Sequence, residues 1–88
     1  NMSESRSHPR IPMKAQVKIT HASFGELVAT TRDISDGGIF LITKDFDMPP
    51  VGTVIEGQVQ GLHGDAPVLK MEIIRAEEDG VGLRFILN

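Results

Sequence analysis

The sequence predicts a small all-β domain: a six-stranded antiparallel β-barrel preceded by a flexible N-terminal arm. Val, Ile and Thr supply 21 of the 88 residues and Gly nine more, a composition that favours pleated strands separated by turns. Several segments alternate apolar and polar residues with a period of two, which is typical of half-buried strands. No segment with a helical period lies between them, so neighbouring strands are expected to run antiparallel.

The first strand is predicted over residues 13–20, where Met13, Ala15, Val17 and Ile19 alternate with polar residues. This period places one side of the strand in the core and the other in water. The preceding residues, 1–12, are mostly polar and are interrupted by prolines, which disfavour regular structure. We therefore expect residues 1–12 to form a flexible arm and residues 13–88 to form the barrel domain.

Five more strands are predicted downstream. The second and third flank the Gly37-Gly38 pair and are expected to form a hairpin. A stiff connection containing Pro49 and Pro50 leaves no room for a helix before the fourth strand. The five segments are residues 27–34, 39–43, 54–60, 68–76 and 81–87. Closure into a barrel would remove the exposed strand edges that a small protein must otherwise protect.

Composition narrows the possible functions. The net charge of −3 and the absence of Trp and Tyr argue against a DNA- or RNA-binding barrel, which needs a basic groove and stacking aromatics. The chain has no Cys, and its three His residues are scattered over predicted loops, so neither a metal site nor a cofactor is expected. No apolar run approaches the ~20 residues of a membrane helix, so we expect a cytoplasmic protein without membrane insertion.

Two arginines of the arm, Arg6 and Arg10, are candidates for binding an anionic ligand. In an extended chain they lie about 13 Å apart, at ~3.3 Å per residue, and a bent arm could bring both onto one ligand. The guanidinium fork bonds phosphate oxygens or a guanine edge, and its plane can stack on a purine. The alternative interpretation is two solvated arginines on a mobile tail.

The second candidate is the 33–38 turn, with the sequence Asp-Ile-Ser-Asp-Gly-Gly. Asp33 and Ser35 are two residues apart, so on a strand their side chains lie on one side. The carboxylate can accept hydrogen bonds from a guanine edge, and the hydroxyl can donate or accept beside it. Gly37 and Gly38 allow positive φ and a close approach of the backbone to a ligand. The alternative is an ordinary hairpin turn, which uses the same residue types.

Together the two segments resemble the PilZ domain, a bacterial receptor module for cyclic di-GMP. The family pattern is R-x-x-x-R in an N-terminal arm, followed later by D/N-x-S-x-x-G. This sequence has R-S-H-P-R at residues 6–10 and D-I-S-D-G-G at residues 33–38, in the same order. The G-V-G-L-R-F segment at residues 80–85 is similar to the closing strand of the family, so the resemblance spans residues 6–85.

The resemblance implies a ligand site for cyclic di-GMP and a signal that passes to a downstream protein or a neighbouring domain. Arg6 and Arg10 would hold phosphates and guanines, and ordering of the arm on binding would transmit the signal. The site residues implied in the turn are Asp33, Ser35, Gly37 and Gly38. Ser5 stands where some members have a further arginine and bind a stacked pair of ligands, which favours a single ligand here.

Other functions fit the sequence less well. The main alternative is a PilZ-like adaptor that acts through protein contacts without binding nucleotide. An enzyme is not expected, because no catalytic triad, metal cluster or phosphate-binding loop is present in the sequence. Phe85 is predicted to lie in the core. Phe40 should face away from Ile39 and Leu41, which leaves two interpretations: an ordinary side chain of the strand, or a surface for docking of the arm or a partner.

Overall fold

The computed structural model describes residues 10–61 and 66–87, and within these ranges every regular element is a β-strand. There are seven strands in this part of the chain. They are β1 (Ile11–Pro12), β2 (Gln16–His21), β3 (Gly25–Ile34), β4 (Gly38–Ile42), β5 (Val54–Val59), β6 (Leu69–Glu77) and β7 (Gly80–Phe85). The predicted all-β class is therefore confirmed.

Six of these strands form a closed antiparallel barrel in the order β2-β3-β4-β7-β6-β5, in which β5 pairs back with β2. The predicted six-stranded barrel is confirmed, because each predicted strand overlaps one of β2 to β7. Closure leaves these strands paired on both sides, which removes the sheet edges that could pair with another chain. Within the described ranges, no helix is long and apolar enough to cross a membrane.

Apolar alternation places one side of each barrel strand in a single core. The buried core residues are Val17, Ile19, Ala29, Ile39, Leu41, Ile55, Met71, Ile73, Val81 and Leu83. Phe85 packs against this cluster, as the sequence predicts. In β2, β3 and β5 burial follows the period of two, because successive side chains of a strand point to opposite faces, whereas β4 and the first part of β7 are buried on both faces.

The short strand β1 was not predicted. Ile11 pairs with Ile34 and Pro12 with Asp33, so the end of the predicted arm runs along the same edge of β3 that β2 uses further on. A proline can occupy this position because an edge strand tolerates a missing N–H donor. As a result, the residue before β1, Arg10, is held beside the end of β3.

A break between β1 and β2 explains why the first predicted strand begins three residues late, at Gln16 instead of Met13. The buried Thr31 hydroxyl donates to the Met13 carbonyl oxygen at 2.6 Å and accepts from the Ala15 N–H at 2.9 Å. These side-chain bonds satisfy backbone groups that a regular ladder would otherwise pair.

Thr31→Val is expected to lower the free energy of unfolding by about 1–3 kcal/mol, because both backbone groups lose their partner in a region with little access to water. Urea denaturation followed by circular dichroism measures the change. Thr30→Val, on the neighbouring outward-facing position of β3, is the matched control. Equal effects of the two variants would contradict a bridging role for the Thr31 hydroxyl.

Candidate functional site

The 33–38 turn joins β3 to β4 and is held by its own serine. The Ser35 N–H donates to the Gly38 carbonyl oxygen at 2.8 Å, and the Gly37 N–H lies 3.3 Å from the Ser35 hydroxyl oxygen. Ser35 is only 9% exposed. Its hydroxyl therefore has a structural role in the turn besides any role toward a ligand.

Of the two glycines in the turn, Gly38 serves close packing, and neither adopts an unusual backbone conformation. Neither Gly37 nor Gly38 has a positive φ, so the expected use of that freedom is not found. Gly38 pairs with Arg84 of β7, and a Cβ atom built on Gly38 would overlap the Leu83 carbonyl oxygen and lie 3.0 Å from the Arg84 Cα. The turn lies against β7 at a distance that only glycine permits.

Arg10 reaches this turn from the end of the arm. Its Nε lies 2.5 Å from Asp33 Oδ1, and its Nη1 lies 3.3 Å from the Ser35 hydroxyl oxygen. The pairing of β1 with β3 produces this contact, because it places Pro12 opposite Asp33. The structure thus brings together Arg10, Asp33 and Ser35, which are distant in sequence. The other arginine of the motif, Arg6, lies outside the described residues.

Asp33 is shared between two arginines. Arg32 donates from Nε to Asp33 Oδ2 at 3.0 Å, so each carboxylate oxygen has one guanidinium partner. Burial alone would raise the pKa of Asp33, but the hydrogen bonds and positive charges of Arg10 and Arg32 outweigh it and lower the pKa below its ordinary value of 3.8. Asp33 is therefore a carboxylate, an acceptor only, at neutral pH.

The lowered pKa of Asp33 predicts a stability change in acid. The stabilising effect of its charge is present above the ordinary value of 3.8 and is lost as the pH falls through the lower, folded-state value. Urea unfolding between about pH 5 and pH 2 should show a shallower loss of stability for Asp33→Asn than for the wild type. Asp36→Asn, an exposed position in the same turn, controls for the loss of one negative charge. Parallel profiles of Asp33→Asn and the wild type would contradict the shared carboxylate.

Arg32 extends these contacts across the outer face of the barrel. Its guanidinium carbon lies 3.7 Å from the centre of the Phe40 ring, and its Nη1 lies 3.7 Å from carboxylate oxygens of both Glu77 and Asp79. Arg75 covers the same ring from 5.7 Å. Phe40 is fully buried, so the interpretation of its ring as a docking surface does not hold: the two arginines cover the ring through cation–π contacts.

An open pocket of about 370 Å³ lies beside the turn. Four of the predicted site residues line it: Arg10, Ser35, Gly37 and Gly38. Asp33 does not line it but bonds to Arg10 at its border. The sequence did not identify the other lining residues, which are Ile74, Leu83, Arg84 and Phe85.

The pocket wall formed by β7 could have been found in part from sequence. Alternation in the 80–85 segment buries Leu83 and turns Arg84 outward, and closure of the barrel pairs Gly38 with Arg84. The sequence did not indicate that Ile74 lines the pocket, because the position of Ile74 depends on an irregularity in the pairing of β6 with β7. Within the described ranges, no group of His, Asp or Glu side chains is arranged to hold a metal ion.

Comparison with known proteins agrees with the fold. A family model described as the PilZ domain matches residues 4–88. The fold is similar to the crystal structure of the PilZ domain of CeSA from a cellulose-synthesizing bacterium, with 22% identity, a TM-score of 0.74, and coverage of 91% of this chain and 82% of that one. A search of curated protein sequences gave no match.

A second solved structure with the same fold is the Bacillus subtilis inhibitor of motility, MotI/DgrA. It has 16% identity and a TM-score of 0.67, and the alignment covers 96% of this chain and 43% of that one. At this identity the likeness concerns the barrel fold alone. The barrel domain therefore corresponds to less than half of the motility inhibitor.

Proposed function

Because this chain belongs to the PilZ domain family, we propose that it is a receptor domain that binds cyclic di-GMP and acts by binding instead of catalysis. The observation that supports this most directly is the contact between Arg10 and Asp33 beside an open pocket. These residues belong to the two halves of the family motif, which are separated by 22 residues of sequence. Their contact places a guanidinium group in the pocket and a carboxylate at its border.

The chemistry of each residue fits a guanine dinucleotide. Arg10 can donate two parallel hydrogen bonds to a phosphate or to the guanine O6 and N7 atoms. Asp33, kept ionised by its two arginines, can accept from the N–H groups of the guanine Watson–Crick edge. Ser35, Gly37 and Gly38 form a narrow wall without bulky side chains. We assign Arg6 to a second phosphate or guanine contact, on the resemblance of the 6–10 segment alone.

Binding would change the contacts of the arm. Arg10 now bonds Asp33 and Ser35, so a ligand that uses these groups must replace or share their hydrogen bonds. A ligand shifts a conformational equilibrium only through such differential contacts. We propose that the arm becomes ordered around the ligand and that a downstream protein or neighbouring domain in the cytoplasm responds to it.

Isothermal titration calorimetry of the full chain with cyclic di-GMP tests the proposal. We expect saturable heat with cyclic di-GMP and at least tenfold weaker binding of GMP, which has a single base and a single phosphate and so lacks half of the contacts; tenfold corresponds to about 1.4 kcal/mol. No heat with cyclic di-GMP, or equal affinity for GMP, would contradict the receptor function and leave the adaptor alternative.

A further inference from the structure

The second wall of the pocket is built around a β-bulge in β6. Ile73 pairs with Leu83 and Arg75 with Gly82, so Ile74 is an extra residue without a partner on β7. Bulges commonly redirect a side chain next to a functional site. Ile74 is 46% exposed and lines the same pocket as the glycines of the turn. Together with Leu83 and Phe85, Ile74 gives the pocket an apolar part beside its polar groups.

Arg84 provides a cation on the same wall. It lies between Gly38 and Glu72 across three paired strands, and two of its nitrogens, Nε and Nη2, contact one Glu72 oxygen, Oε1, at 2.9 and 2.7 Å. This contact fixes the guanidinium in place, while 53% of the side chain stays exposed. A guanidinium has five N–H donors, so the pair with Glu72 leaves donors for a further acceptor.

We propose that Ile74 and Arg84 are ligand-contacting residues that complete the binding pocket, with Ile74 packed against a purine face and Arg84 bonded to a phosphate oxygen. This inference rests on the proposed function. It adds to the binding pocket a second wall, which neither the arm nor the 33–38 turn supplies. The absence of a side chain on Gly38 keeps the turn close to Arg84, so one ligand can touch both walls.

Ile74→Ala tests the apolar contact. We expect affinity for cyclic di-GMP to fall about fivefold, since the truncation removes apolar surface that the purine would bury. Val28→Ala is the matched control, because Val28 is a β-branched strand residue, 48% exposed and outside the pocket. Calorimetry of both variants gives the comparison, and their thermal midpoints show whether each is folded. Surface substitutions of this kind usually change stability little.

Arg84→Gln tests the cationic contact. We expect affinity to fall about fivefold, and the salt dependence of binding to become shallower than in the wild type, because one charged contact is lost. Arg75→Gln is the matched control: Arg75 is also a strand arginine with one close carboxylate partner, Glu77, but it lies outside the pocket. The salt series separates a ligand contact from a purely structural role of Arg84.

These experiments separate failure of the second-wall proposal from failure of the proposed receptor function. If the wild type binds cyclic di-GMP and Arg10→Ala weakens that binding, while Ile74→Ala and Arg84→Gln bind as tightly as their controls, the receptor function stands and the second wall is wrong. If the wild type gives no heat, both proposals are wrong. Losses confined to the Ile74 and Arg84 variants, with both controls unchanged, support the inference.

Discussion

Arg10→Ala is expected to weaken binding of cyclic di-GMP by at least tenfold, and by up to about a hundredfold, since hydrogen bonds to charged groups contribute about 1.5–3 kcal/mol. The substitution removes the only cationic side chain that the described part of the arm brings to the pocket. It also leaves Asp33 paired with Arg32 alone. Calorimetry with cyclic di-GMP measures the loss.

Two control variants test whether the effect of Arg10→Ala is specific to this position and to its guanidinium group. Lys18→Ala removes a positive charge from β2, outside the pocket, and is expected to leave affinity unchanged. Arg10→Lys keeps the charge but cannot form a bidentate contact, so it should recover only part of the affinity. If Arg10→Ala binds like the wild type, or if Lys18→Ala is equally damaging, the role assigned to Arg10 is wrong.

Gly38→Ala is expected to lower the free energy of unfolding by about 3 kcal/mol, the upper part of the range for overpacking a tight site. A Cβ at this position would overlap the Leu83 carbonyl oxygen, and a backbone atom in a closed barrel has little freedom to move. Binding of cyclic di-GMP should be lost as well, because the turn must shift away from β7. Urea denaturation and calorimetry measure the two effects.

Gly57→Ala is the matched control for Gly38→Ala. Its Cβ would also overlap a neighbour, but that neighbour is the terminal methyl group of Met71, the end of a flexible side chain. We expect a smaller loss of stability and unchanged ligand affinity, since Gly57 lies on β5 outside the ligand pocket. Equal losses in the two variants would mean that the close packing of the turn on β7 has no special role.

The strands of the fold were predictable because most of them have their own apolar and polar alternation within a short stretch of sequence. Alternation along these segments determines which side chains are buried, and the lack of a helical period between the strands in the sequence favours antiparallel neighbours. The break before Gln16 was not predictable, because it depends on the hydroxyl of Thr31, a residue of another strand. β1 was missed for a related reason: two residues that include a proline give no periodic pattern.

The sequence identified several residues of the candidate site but not how their side chains are arranged. Sequence indicated that Arg10 and the 33–38 turn belong together only through resemblance to a family, whereas their contact follows from the register of β1 on β3. Arg32 was overlooked because a single arginine in a strand is ordinary. Ile74 was unpredictable since a bulge arises from how two strands pair.

The positions at which the described chain enters and leaves the barrel have a mechanical consequence. Arg10 bonds to Asp33 at the entry, and at the exit the Phe85 N–H donates to the Gly37 carbonyl oxygen at 2.9 Å. Both positions therefore border the same turn and the same pocket. If binding shifts the turn, as the proposed function implies, its contacts with Arg10 and with Phe85 change together. A single ligand bound as proposed would therefore act on the described chain at both its entry to the barrel and its exit.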